Sequence, residues 1–219
     1  MASASPPASA LPRATPDKGK RWAFRARGAM GTVVMLVCGT LAMLSTPWPT
    51  AGTWAAVGID ALAWTVFFTG MIFRFWSTLY IGGRKLHTLA CEGPYSIVRN
   101  PLYVGTFLIW LSAAIFLQSV MLAVGVLVGI LLYRWLAVPA EERQLLANLG
   151  APYAEYCRTV PRFIPRPTLF RTPPTINVTV LGLWLECRRA ARWIWLPVVA
   201  EVIMHLRHEA WWPHLWQLP

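Results

Sequence analysis

The chain has 219 residues, of which 56% are hydrophobic and only 13% charged. That is roughly half the charged share of an average soluble domain, and it excludes a water-soluble globular fold. The net charge is +11, from 20 Lys and Arg against 9 Asp and Glu, but no groove-reading motif accompanies it, so basic flanks beside membrane helices explain it and nucleic acid is not an expected partner.

Residues 1–27 are a Pro/Ser/Ala-rich tail ending in the basic run Lys18 to Arg27, with too few large apolar groups to order on its own. The apolar run Gly28 to Leu44 is longer than a signal-peptide core and has no convincing cleavage site. It reads as a retained first span, Gly28 to Ser45, closed by Thr46-Pro47-Trp48-Pro49. Trp54 to Ile81 is the second span, so residues 28–81 hold transmembrane helices 1 and 2. Asp60 and Arg74 interrupt its apolar run, and the cost of a charge in lipid places them near the ends or against protein.

Gly82 to Asn100, with Gly-Gly and Gly-Pro, is a polar loop. Leu102 to Leu117 and Val120 to Val138 are the third and fourth spans, separated only by Gln118-Ser119, which leaves room for a tight antiparallel hairpin. A short polar helix, Glu141 to Leu149, is expected next, stopped by Gly150. The extension 167–219 is rich in Trp and Arg. Within it Trp193 to Leu206 contains Pro197 and Glu201, follows Arg188, Arg189 and Arg192, and precedes Trp211, Trp212 and Trp216. An interfacial helix is the expectation there, with a fifth span as the alternative.

Lys and Arg crowd the N-terminal tail, the second loop and the stretch after the fourth span, whereas the loop Thr46 to Thr53 and the Gln118-Ser119 turn have none. Four spans with both termini in the cytoplasm satisfy every loop. The expected class is therefore an all-α polytopic membrane protein, in a bacterial cytoplasmic membrane. The cysteines Cys38, Cys91, Cys157 and Cys187 show no C-x-x-C spacing, and the four histidines share no ligand spacing, so no metal site is expected.

Two polar clusters stand out, Glu92 to Tyr103 entering the third span and Glu141 to Arg166 leaving the fourth. A hairpin brings them side by side, forming a pocket walled by apolar helices and capped by Arg99, Glu141, Glu142, Tyr153, Tyr156 and Arg162. Such a site suits an amphiphilic ligand. Taken singly, the arginines could snorkel to lipid phosphate, the glutamates could start a solvated helix, and the tyrosines could form an interfacial belt.

The joint pattern resembles a known family. Gly93-Pro94-Tyr95-Ser96-Ile97-Val98-Arg99-Asn100-Pro101-Leu102-Tyr103-Val104-Gly105 is similar to the first signature of the isoprenylcysteine carboxyl methyltransferases and their bacterial relatives. Glu141-Glu142-x-x-Leu145, Gly150, Tyr153, Tyr156 and Val160-Pro161-Arg162-Phe163-Ile164-Pro165 resemble their second block. Phosphatidylethanolamine N-methyltransferases look similar in the same region, and the resemblance covers about residues 82–166, the methyltransferase core.

The resemblance implies an S-adenosylmethionine-dependent membrane methyltransferase with an all-helical cofactor pocket and a lipophilic acceptor, either prenylated-cysteine-like or lipid-like. It assigns Arg99, Asn100 and Arg162 to the catalytic set. It assigns Tyr95, Arg99, Asn100, Pro101, Tyr103, Gly105, Glu141, Glu142, Tyr153 and Tyr156 to cofactor binding. Arg99 or Arg162 would pair with the methionyl carboxylate, and Glu141 or Glu142 would take the amino group or ribose hydroxyls. The eukaryotic enzymes have His where this chain has Asn100, and an amide cannot titrate near neutral pH, so general-base catalysis from that position is excluded. The alternatives are a sterol-reductase-like oxidoreductase using a reduced nicotinamide dinucleotide, and a non-catalytic membrane subunit.

Overall fold

The computed structural model describes residues 33–34, 36–46, 54–81 and 89–213. The basic tail 1–27, most of the second loop (82–88) and the residues from 214 onward, Trp216 among them, lie outside that set, as do the readings that fall on them. No β-strand occurs among the described residues. Helix α1 is described at 36–44. It is followed by α2 (Trp54–Ile81), the one-turn α3 (Pro94–Ile97), α4 (Pro101–Phe116), α5 (Val120–Leu132), α6 (Val138–Leu149), α7 (Ala151–Thr159), α8 (Val180–Trp193) and α9 (Trp195–Arg207).

Helix α2 has the bounds its apolar run sets. Its Arg74 is buried against protein, as the cost of a bare charge in lipid requires. Helices α2 and α4 cross at Gly70 and Gly105. A Cβ on Gly105 would lie 2.8 Å from the Gly70 carbonyl oxygen and 2.6 Å from Arg74 Cγ, so only small residues allow this approach. The core gathers Ala42, Ala63, Phe67, Ile109, Phe116, Leu122, Val126 and Ala200 from α1, α2, α4, α5 and α9.

Between α4 and α5 the chain turns within Leu117–Ser119. Gln118 adopts φ 45°, and the Ser119 hydroxyl caps α5 by accepting the Leu122 N–H. Glu141 to Leu149 differs from its expected form: it is not a separate helix but continues α5 across a single π turn, Tyr133–Ala137. Pro139 has no N–H to bond residue 135 and its ring crowds that carbonyl. The wider turn absorbs both, with the Val138 N–H reaching back to Tyr133. Glu141 and Glu142 therefore ride on a helix of 30 residues, Val120–Leu149.

Trp54–Ile81 and Val120–Leu149 are both long and apolar enough to cross a membrane. Val57, Leu62, Phe68 and Ile72 on α2, Val120, Val124 and Leu127 on α5, and Val198, Val199 and Val202 on α9 are all exposed. An apolar surface of that extent suits lipid and not water.

The C-terminal segment forms two successive helices, α8 packed on α2 and α9 on α4, with α9 covering the apolar stretch Trp193 to Leu206. Glu186 of α8 accepts from Arg74 Nε at 2.7 Å and Nη2 at 3.0 Å. Arg207, at the end of α9, is 1% exposed and donates to the carbonyl oxygens of Leu117 (2.6 Å) and Ser45 (2.9 Å). The Trp212 indole N–H reaches the Met43 carbonyl at 2.7 Å. These carbonyls end α4 and α1, where the helix dipole favours a cation. Residue 212 thus sits at the end of the bundle away from Pro101.

Candidate active site

The site forms where the two polar segments are zipped together. Gly93, at φ +57°, opens α3. A Cβ there would run into the Tyr80 ring at 2.3 Å, so the turn is open only to glycine. Beyond α3, the backbone from Ile97 to Arg99 pairs with the Pro/Arg-rich stretch: Arg99 N–H donates to the Pro161 carbonyl at 2.8 Å, and Arg166 N–H to the Ile97 carbonyl at 2.9 Å. Pro101 then starts α4, where its missing N–H costs nothing.

Glu142, 9% exposed, is the hub. It takes Arg162 Nη2 at 2.5 Å and Nε at 3.2 Å, Arg99 Nη1 at 3.3 Å, and Asn100 Nδ2 at 3.5 Å. Asn100 also donates to the Arg162 carbonyl at 3.2 Å. One turn of α4 onward, the Tyr103 hydroxyl donates to Glu141 at 2.8 Å. The Tyr156 hydroxyl donates to the Tyr95 carbonyl at 2.8 Å, tying α7 to α3. Burial is the main reason that the Tyr95, Tyr153 and Tyr156 hydroxyls titrate well above the usual phenol range. All three remain protonated donors at neutral pH.

A cavity of about 220 Å³ opens between these groups, against the roughly 10–15 Å³ that one water needs. Tyr95, Arg99, Asn100, Pro101, Tyr103, Glu141, Tyr153 and Tyr156 line it, so eight of the residues named from sequence converge. Three do not reach the wall. Glu142 and Arg162 face each other behind Arg99, and Gly105 packs against Gly70 and Arg74. Among the described residues two buried donors have no partner, the Tyr95 hydroxyl and Arg99 Nε. A buried polar group without a partner costs about 1–3 kcal/mol, which a ligand would recover.

The sequence reading missed Arg74, Thr106 and Arg189 on the same wall. Arg74 carried a legible signal, an arginine inside an apolar run. Arg189 carried none, because its place depends on Glu186, which bonds it at 2.9 Å while holding Arg74. Among the described residues no group of three His, Cys, Asp or Glu is placed to hold a metal ion.

Residues 50–151 match the family model described as phospholipid methyltransferase. The chain is 34% identical over 184 residues to the cobalt-zinc-cadmium resistance protein CzcN of Cupriavidus metallidurans, covering 84% of this chain and 83% of that protein. It is 32% identical over 132 residues to methanethiol S-methyltransferase 2 of Bradyrhizobium diazoefficiens, covering 54% and 49%. With protein-S-isoprenylcysteine O-methyltransferase B of Arabidopsis thaliana it shares 35% identity over 82 residues, covering 36% and 40%. No solved structure matches it.

Proposed function

Because the chain belongs to the isoprenylcysteine carboxyl methyltransferase-like family of membrane methyltransferases, we propose that it transfers a methyl group from S-adenosylmethionine to a lipophilic acceptor reaching the cavity from the bilayer. The observation that carries this reading is one cavity offering three guanidinium groups, a carboxylate and four tyrosines, with the Tyr95 hydroxyl and Arg99 Nε among them left unpartnered. S-adenosylmethionine supplies an electrophilic methyl on a sulfonium, together with a carboxylate, an amino group, a ribose and an adenine, and this donor set fits it.

Arg99 pairs with the ligand carboxylate, and Glu141 takes its amino group or ribose hydroxyls. The tyrosine rings present the negative faces that attract a cation. The Tyr95 hydroxyl donates to a ligand acceptor atom. Glu142 and Arg162 act from behind by fixing Arg99, so we assign them to positioning and not to ligand contact. Asn100, an amide bonded to Glu142 and to the Arg162 carbonyl, anchors the same strut and takes no proton. Holding acceptor and methyl in line supplies most of the rate, because the displacement needs no covalent help from the protein.

The test is transfer of labelled methyl from S-adenosylmethionine into the organic extract of membranes that contain the chain. We expect incorporation by the natural sequence and a fall of about 10- to 100-fold for Glu141→Ala, the loss of a hydrogen bond to a charged group. Incorporation equal in both would contradict the assignment.

We further propose that the cavity end faces the cytoplasm, where the basic stretch from Arg158 to Arg171 favours it. Helices α1, α2, α4 and α5 then cross the bilayer, and α9 crosses beside α4 with α8 at its cytoplasmic end. Alkaline phosphatase fused after residue 219, which is active only outside the cytoplasm, should be active. An inactive fusion beside an active control would overturn this orientation.

A further inference from the structure

We propose that the outward face of α8 binds the headgroup phosphate of an anionic phospholipid through Arg188 and Arg192. These two residues stand one helical turn apart and both are exposed. The Arg188 guanidinium lies over the Trp184 ring, 4.7 Å from its centroid, which keeps it on the outer face. Glu186 is the only carboxylate in α8. It is 2% exposed, faces inward, and is shared by Arg74 and Arg189. Among the described residues no carboxylate pairs with Arg188 or Arg192. Like charges at this spacing repel, and a phosphate bridging them removes the repulsion and gains charge-assisted hydrogen bonds.

The surroundings decide which phosphate. Exposed apolar side chains flank the pair on both sides, with Leu181, Trp184 and Leu185 before it and Ile194, Trp195, Val198 and Val199 after it. A free anion would leave those side chains bare. A phospholipid covers both features at once, its headgroup on the arginines and its acyl chains along α9. The helix dipole accounts for one basic residue in the last turn of α8, but not for the apolar flanks. The site lies one residue away from Arg189, which lines the cavity, so a lipid held there steadies that wall. The inference does not depend on which ligand fills the cavity.

Native mass spectrometry of the full chain in mild detergent tests it, with phosphatidylglycerol and phosphatidylcholine of matched chains as probes and inorganic phosphate as competitor. Phosphatidylglycerol should be retained in preference, and Arg188→Gln with Arg192→Gln should weaken its retention by about fivefold per arginine. The control pair Arg143→Gln and Arg158→Gln should leave retention unchanged. Equal retention of the two lipids, or no loss in the double variant with its thermal midpoint preserved, would overturn the proposal. So would full displacement by inorganic phosphate, since the occupant would then be a soluble anion.

Discussion

Glu142→Gln is expected to lower stability by about 3–5 kcal/mol, the cost of stripping the partner from a buried charge, and to weaken S-adenosylhomocysteine binding by more than tenfold. The loss falls unevenly. The Arg162 side chain is 35% exposed and regains water, so its share is small. The Arg99 side chain is 14% exposed and its Nε already has no partner, so it bears most of the penalty and loses its orientation toward the cavity. Glu142 itself does not line the cavity, so the effect on ligand travels through Arg99. Thermal unfolding and calorimetry on the same variant measure the two losses. An unchanged thermal midpoint together with unchanged affinity would show that Glu142 is not the hub.

Glu186→Ala should cost a similar amount, about 3–5 kcal/mol. It leaves Arg74, whose side chain is 11% exposed, facing an empty site between α2 and α8, and Arg189 loses its partner as well. Replacing both members, Arg74→Leu with Glu186→Leu, should be milder than the single change, because no bare charge remains and an apolar pair can fill the same space. The order of thermal midpoints is the test: natural sequence highest, double variant between, Glu186→Ala lowest. A double variant as damaged as the single one would mean that the pair contributes shape and not charge compensation.

Much of this architecture is written locally and so could be read in advance. Helix α2 follows its apolar run from Trp54 to Ile81, and the meeting of Arg99 with Glu142 follows from a turn of three residues, Leu117–Ser119, too short to do anything but fold the chain back. What could not be read depends on partners distant in sequence or on side-chain direction. Glu141 and Glu142 are neighbours in the chain, yet about 100° apart around a helix. One lines the cavity and the other supports Arg99 from behind, and only their contacts with Tyr103 and Arg162 distinguish them. Pro139 fits the start of a new helix as well as a π turn inside a continuous one, and the sequence does not choose between them. The course of α8 and α9 was hidden for the same reason. Arg207 is held by carbonyls at Ser45 and Leu117, and no backbone carbonyl announces itself in a sequence.

The cavity at the start of α4 carries the proposed chemistry, and binding to the purified full chain probes it most directly. Calorimetry with S-adenosylhomocysteine should give one site per chain, with affinity lost in Arg99→Ala and Glu141→Ala while both variants keep their thermal midpoints within a few degrees. No heat from S-adenosylhomocysteine, together with saturable binding of a reduced nicotinamide dinucleotide at the same residues, would contradict methyl transfer and favour the reductase alternative.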